Sequence, residues 1–424
     1  MELLRYEDID LSQTVKRSEE DVNNVLDTVS DILKNVRDNK DQALKDYTQK
    51  FDKVEIDTLK VSDEEIKEAY ETIDDNLLEA LKKAAENIKK FHEKEIPEEW
   101  KIEVKKGITA GQIVRPLNSV GCYIPGGRAV YPSTILMTVI PAKIAGVKKI
   151  VCCSPPQKDG KIGNAILVAA NLAGADEIYK VGGAQAIGAM AYGSESVPKV
   201  EKIVGPGNIF VTAAKKLVFG QVDIEFPAGP SEVLILADSS ANAEYIATDI
   251  LSQAEHDPKA SCFFVTDDEA LANEVLEFVD KKTKDAPRKE IILEALSNSG
   301  KIILTKNFED AIHVTNEYAP EHLVIMTNDD ENVLSQINNA GSIFLGKYSP
   351  VACGDYGSGT NHVLPTGGGA KMYSGLSTES FIKKPTVQKI TQEGLENIAK
   401  TCVPIAEYEG LYAHVDSIKT RLNK

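Results

Sequence analysis

Between residues 133 and 327 the chain alternates two textures. Short apolar runs (KKIVCCS, DEIYKVG, KVEKIVG, SEVLILAD, ASCFFVTDD, GKIILTK, EHLVIMT) are strand-like. Between them lie helix-like segments: STILMTVIPAKIAGV, GNAILVAANLAGA, GAQAIGAMAYG, NIFVTAAKKLVFG, NAEYIATDILSQAEHD, LANEVLEFVDKKT and FEDAIHVTNEYA. Alternation at this spacing requires parallel strands joined by right-handed helical crossovers. The pattern predicts an α/β fold made of two Rossmann-like doubly wound domains, one inserted in the other.

The flanking segments read differently. Residues 20–95 are charged and helical, and SDEEIKEAYETIDDNLLEALKKAAENIKKFHEKEI opens with a capping box, Ser62 followed by Glu65. GITAGQIVRPLNSVGCYIP, from residue 107, reads as short strands with turns. Residues 346–385 are rich in Gly, Ser and Thr and carry no period, which marks a functional loop. QEGLENIAKTCVPIAEYEGLYAHVDSIKTRL returns to helix as a separate tail. The expected division is an N-terminal tail segment at 1–19, an α/β domain of 20–121 plus 233–378, an inserted Rossmann-like domain at 122–232 and a C-terminal helical tail at 379–424. It assumes that the early helices pack on the second sheet.

Composition narrows the function. With 424 residues, 42% apolar and 27% charged, the chain has a large core. A net charge of −17 disfavours nucleic acid or an anionic membrane as partner, because both would be repelled, and leaves small molecules. The first twenty residues contain no signal-peptide core, and no apolar run reaches the ~18 residues needed to span a bilayer, so a cytoplasmic protein is expected. Six scattered cysteines without a CxxC pair read as reduced thiols, and Cys152, Cys153 and Cys262 as small hydrophobes in strands.

Candidate chemistry starts in NEYAPEHLVIMT, where Glu321 and His322 stand side by side as a buried strand begins. Backbone alternation sends neighbours to opposite faces, so both belong at the strand mouth, where the chain is still turning. Of the six histidines, His92 and His313 fall in helical runs and read as structural, His92 as solvated or offsetting a helix dipole. Gln253 and His256 are spaced i to i+3 on one helical face and could grip one ion or ligand; a dipole partner is the ordinary alternative for that histidine. Asp355 and His362 lie in a glycine-rich loop, and Glu409 and His414 in the tail, where a solvated helix face is the default. Pooled, these histidines with an aspartate and a neutral amide form a nitrogen and oxygen shell suited to zinc, although neither HExxH nor CxxC is present. Glycine turns at Gly126–Gly127, Gly182–Gly183 and Gly205–Asn208 could meet a nucleotide phosphate, yet none matches GxGxxG.

YIPGG, VGGAQAIGAMAYG, GPGN, PAGPSEVLILAD, SQAEHDP, APEHL, GDYGSGTNHVLPT and EGLYAH occur in the order and approximate spacing of the histidinol dehydrogenase family, which the chain resembles over nearly its whole length. The resemblance implies one zinc per subunit held by Gln253, His256, Asp355 and His414, with Glu321 and His322 as the proton-transfer pair. It implies substrate contacts from Ser231, Gln253, His256, His322, Asp355, His362, Glu409 and His414, and nucleotide contacts from Tyr123, Gln185 and Asn208. The implied reaction oxidises L-histidinol to L-histidine through L-histidinaldehyde with two NAD, His322 being the general base and Glu321 activating water. The implied assembly is a homodimer whose tails complete each other's sites. Two rivals remain at this point: a zinc hydrolase, and a nucleotide-binding protein that has kept the fold without the chemistry.

Overall fold

The computed structural model describes residues 1–15, 22–126, 131–226 and 229–422. Gly127 of the first glycine turn, and Pro227 and Ala228 of PAGPSE, lie outside the described residues.

Two parallel sheets organise the chain. The five-stranded sheet has the order Glu177–Lys180, Lys149–Ser154, Ser119–Tyr123, Lys202–Val204, Asp223–Ile224. The six-stranded sheet has the order Glu2–Arg5, Gly300–Leu304, Ser261–Thr266, Glu232–Ala237, His322–Met326, Ser342–Leu345. In the five-stranded sheet the chain starts centrally, winds one way and then reverses; in the six-stranded sheet it does the same from Glu232–Ala237 onward, after contributing the edge strand Glu2–Arg5, and this is the doubly wound α/β arrangement that the alternating pattern predicts. Every residue of Glu232–Ala237 is buried, because helices cover both faces. Val233, Ile235 and Ala237 pack with the helix Ala243–Ala254, and Leu234 and Leu236 with the helix Phe308–Tyr318.

Packing divides the chain differently from the expected domain boundaries. Residues Glu2–Arg5 pair with Gly300–Leu304 as an edge strand of the six-stranded sheet, so the first nineteen residues are not simply a tail. The early helices lie on the five-stranded layer instead of the six-stranded one. Val29, Leu33 and Val36 of the helix Leu26–Tyr47 share a core with Ile187 and Met190. Ala69, Leu81 and Ile88 of the helices Asp63–Thr72 and Asp75–His92 share another with Ile135, Val139 and Leu167. The reason lies in the covering helices: nine consecutive residues of Pro132–Ile144 are buried, and a helix that is apolar all round needs cover on its outer side too.

The C-terminal segment begins as strand rather than helix. Thr386–Ile390 pairs antiparallel with Ile108–Gln112, which pairs with Trp100–Lys105, and the helices Gln392–Tyr408 and Tyr412–Leu422 follow. His92 is buried, not solvated; its Nδ1 lies 2.6 Å from Glu95 Oε2, and its carbonyl accepts from Thr378 Oγ1 at 2.9 Å. Among the described residues no helix is long and apolar enough to cross a membrane.

Asp52, in the turn after Leu26–Tyr47, has a buried Oδ2 with no hydrogen-bond partner among the described residues, and burial pushes its carboxyl up to about 6. The folded chain therefore holds this proton more tightly than the unfolded one, and its contribution to stability is lost as pH rises from the ordinary carboxylate range, about 4, through the raised value. Asp52→Asn is expected to raise the denaturant midpoint at pH 8 and to leave it nearly unchanged at pH 4, as read by chemical denaturation at both pH values.

Candidate active site

Crossover helices in a parallel sheet run back against the strands, so their carboxyl ends arrive at the strands' amino edge. Gln253 lies in the last turn of Ala243–Ala254 and His256 two residues beyond it, while Ser231 and Glu321 each immediately precede a strand. Topology alone thus delivers all four to one edge of the six-stranded sheet. Val233 pairs with His322, which puts the strand starting at Glu232 beside the EH pair.

The backbone of one residue holds both members of that pair. Glu232 N–H donates to Glu321 Oε2 at 2.7 Å, and His322 Nδ1 lies 2.9 Å from the Glu232 carbonyl. A carbonyl only accepts, so Nδ1 carries a proton and Nε2 is the atom left to exchange one. His322 Nε2 is buried, has no hydrogen-bond partner among the described residues, and stands 3.6 Å from Asp355 Oδ1. Glu321 Oε2 stands 3.6 Å from His322 Nδ1 on the other side. Both residues are buried, about 5% exposed, so the strand mouth is closed over rather than open to water. The Glu321 backbone is pinned as well, its carbonyl accepting from Ser342 N–H at 2.9 Å.

Asp355 comes from the short helix Val351–Tyr356 inside the loop that shows no period in the sequence. Its carbonyl lies 2.9 Å from His362 Nδ1, and His362 Nε2 lies 3.3 Å from Thr134 Oγ1 on the helix Pro132–Ile144 of the other layer. Asn361 Nδ2 donates to the Met137 carbonyl at 2.7 Å on that same helix. The loop therefore ties the site to both sheets. Glu232, Thr134 and Asn361 had no place among the expected site residues. Their signal is faint: Glu232 is an acid opening an apolar run, and a threonine or asparagine in a helix or loop has no periodic mark.

The electrostatics are those of charges confined together. Burial drives the Glu321 carboxyl up to about 8, against the opposing pull of His322 and the Glu232 N–H. Burial would lower His322, but the carboxylates of Glu321 and Asp355 outweigh it and raise the imidazole to about 9. For Asp355, burial works upward and is overcome by His322, His362 and His256, so its carboxyl lies below the usual range. Burial lowers both His256 and His362, with Asp355 pulling each the other way. Asp355 thus acts on three imidazoles at once, which places the expected loop, helix-end and strand-mouth residues around one small volume.

Not all the expected residues meet there. Glu409 and His414 are exposed in the tail, at and beyond the end of Gln392–Tyr408. Among the described residues of one chain, no group of three His, Cys, Asp or Glu side chains is placed to hold a metal. The residues nonetheless suit one. Gln253 Nε2, like His322 Nε2, is buried without a partner among the described residues, and a buried unpaired amide is costly. The amide's oxygen and nitrogen can exchange places, so Gln253 can offer an oxygen beside the imidazole of His256 and the carboxylate of Asp355, a donor set suited to zinc.

The residues expected to contact a nucleotide line the opposite kind of edge. Tyr123 ends a strand of the five-stranded sheet, Gln185 lies in the first turn of the helix Gly183–Tyr192, and Asn208 caps the helix Ile209–Val218, so all three stand at strand carboxyl ends. Only Asn208 is exposed. Tyr123 is 3% exposed and its hydroxyl already accepts from Gly183 N–H at 3.1 Å, while Gln185 is 2% exposed.

The family model for histidinol dehydrogenase matches residues 15–422. The chain belongs to the histidinol dehydrogenase family. A histidinol dehydrogenase of Methanothermobacter thermautotrophicus is 60% identical over 422 residues, covering 100% of this chain and 99% of that protein. One from Clostridium acetobutylicum is 50% identical over 397 residues, covering 94% and 92%. The crystal structure of histidinol dehydrogenase from Elizabethkingia anophelis superposes with a TM-score of 0.95 at 43% identity, covering 100% of this chain and 98% of that one. Membership in this family explains why the EH pair, the SQAEH helix end and the GDY loop, far apart in sequence, are brought to one sheet edge.

Proposed function

We propose that the protein is a cytoplasmic, zinc-dependent enzyme that oxidises L-histidinol to L-histidine through L-histidinaldehyde, consuming two NAD and one water. The observation that carries the reading is His322: Nδ1 is tied to a carbonyl, which leaves the buried Nε2, without a partner among the described residues, as the ring nitrogen that exchanges a proton, and a cation beside Asp355 would offset the carboxylate charge that holds the imidazole protonated. His322 accepts the alcohol proton as hydride leaves the carbon for the first NAD. Glu321, anchored by the Glu232 N–H, then takes a proton from the water that adds to the aldehyde. Loss of a second hydride from the hydrate gives the acid. General acid–base assistance of this kind is worth about 10²–10⁴-fold in rate.

Gln253, His256, Asp355 and the partner's His414 would hold the zinc, which supplies a template for the imidazole and amino nitrogens of the substrate. Ser231, His362 and Glu409 add contacts to the same molecule. Tyr123, Gln185 and Asn208 face the nucleotide from the carboxyl edge of the five-stranded sheet.

The tail supports a homodimer. All of Trp100–Lys105 and all of Thr386–Ile390 are exposed, and so are Trp100, Ile102 and Val104 along one strand and Tyr408, Leu411 and Tyr412 in the tail. A three-stranded sheet with both outer strands bare, followed by two helices with outward apolar side chains, needs cover from another molecule. A second copy gives that cover and brings Glu409 and His414 into reach of a site that lacks them.

Incubation of the purified protein with L-histidinol and NAD is expected to yield two NADH per histidinol consumed, followed by absorbance; a zinc hydrolase yields none. Glu321→Gln is expected to slow oxidation of the whole alcohol by about 10²–10⁴-fold while sparing the first hydride transfer. Single-turnover NADH formation from histidinol, set beside steady-state oxidation of supplied histidinaldehyde, reads the difference, and equal losses would remove the water-activating role. His414→Ala and Gln253→Ala are each expected to lower bound zinc. Mixed after dissociation, they should regain part of the activity through hybrid dimers carrying one intact site, and verified hybrids with no activity would contradict the exchanged tail.

A further inference from the structure

A buried ion pair at the carboxyl edge of the five-stranded sheet has no part in the chemistry above. Lys215 of the helix Ile209–Val218 and Glu225, just after the strand Asp223–Ile224, are 2.7 Å apart from Nζ to Oε1, with side chains 3% and 2% exposed. Between them they bind both polar groups of one residue: Lys215 Nζ donates to the Gly205 carbonyl at 3.0 Å, and Gly205 N–H donates to Glu225 Oε1 at 2.9 Å. Gly205 opens the GPGN turn at the end of the strand Lys202–Val204. Its φ is +118°, and a Cβ there would sit 2.1 Å from the Tyr123 carbonyl, so the turn presses against the neighbouring strand's end. Three residues on, Asn208 Oδ1 accepts from the N–H groups of Phe210 and Val211 at 3.0 and 3.2 Å, which leaves its amide N–H groups at the exposed edge.

We propose that the Lys215–Glu225 pair is a positioning device for the nicotinamide dinucleotide, a clamp on Gly205 that fixes the GPGN turn so that Asn208 and the end of the Tyr123 strand present one preformed surface to it. This rests on the reading that NAD binds at this edge. The energetics favour a positioning role over a purely stabilising one. A buried ion pair adds little or no stability over an apolar pair of the same volume, because desolvation offsets the attraction. An apolar pair cannot bind an N–H and a C=O of the same residue at once. In a sheet lacking the GxGxxG loop, the turn after the strand Lys202–Val204 has no dinucleotide fingerprint to fix it, and the pair supplies that constraint from two neighbouring elements. Preorganisation of this kind acts on affinity for the ligand that uses the surface and on no other.

The test is the double variant Lys215→Met/Glu225→Leu in the full-length, zinc-loaded protein. It is expected to melt at a lower temperature, because the buried N–H and C=O of Gly205 lose their partners, yet below that temperature to keep its zinc content and its KM for histidinol within twofold, while Kd and KM for NAD rise by about tenfold or more. Adding Asn208→Ala to it should weaken NAD binding less than Asn208→Ala does in the wild type, because the clamp acts through that residue. The pair Lys215→Gln/Glu225→Gln keeps a donor and an acceptor without charge and is expected to bind NAD within about threefold of wild type, which provides a decision even should the apolar variant not fold. NAD binding by the apolar variant at the wild-type Kd, equal losses for NAD and histidinol, or a folded glutamine pair that loses NAD affinity tenfold would each overturn the clamp. A wild-type protein that binds no NAD would instead overturn the cofactor reading beneath it.

Discussion

The backbone of Glu232 binds Glu321 through its N–H and His322 through its carbonyl, at 2.7 and 2.9 Å, and the strand that supplies it lies at the centre of the six-stranded sheet. Because this strand is buried on both faces, its backbone moves very little, and the two side chains inherit that rigidity. Fixing Nδ1 as the protonated nitrogen leaves Nε2 to face Asp355. Without these two backbone bonds the EH pair would be two adjacent titratable groups with independent rotamers. With them the imidazole and the carboxylate are held as one unit.

The fold sorts the candidate residues onto two sheet edges of opposite sense. The amino edge of the six-stranded sheet collects helix ends and strand starts, and so collects Gln253, His256, Ser231, Glu321 and His322. The carboxyl edge of the five-stranded sheet collects strand ends and helix starts, and with them Tyr123, Gln185 and Asn208. The loop carrying Asp355, Asn361 and His362 spans the two, bonding to the helix Pro132–Ile144 on one side and facing His322 on the other. Charge confinement is the cost of this convergence: Glu321, His322 and Asp355 all depart from their ordinary titration ranges because they are buried together. A cation among them would relieve the excess of negative charge, as the donor set of Gln253, His256 and Asp355 suggests.

Much of this was legible in the sequence, for identifiable reasons. Strands such as SEVLILAD and EHLVIMT, buried on both faces, and helices such as NAEYIATDILSQAEHD, apolar on one face, carry strong periodic signals, and the αβ alternation fixes parallel pairing. The strand mouth at Glu321–His322 was legible because two polar residues cannot share a strand interior. The edge strand Glu2–Arg5 was not, since four half-exposed residues carry no periodic signature. Placement of the helices from 26 to 92 depended on seeing that STILMTVIPAKIA is apolar on every side and so needs an outer cover. His92 misled because its burial comes from Glu95, Asn361 and Thr378, a network assembled across nearly three hundred residues that no local window contains. Glu232 escaped because its part is played by its backbone.

The position of the metal decides whether the two subunits share one site. A crystal of the zinc-loaded protein with L-histidinol, measured at the zinc absorption edge, gives the answer in a single anomalous map. The expected result is one peak per subunit in contact with Gln253, His256 and Asp355 and closed by the partner's His414, with the histidinol hydroxyl within reach of His322 Nε2. A peak elsewhere, or a His414 that reaches no metal in either subunit, would contradict it.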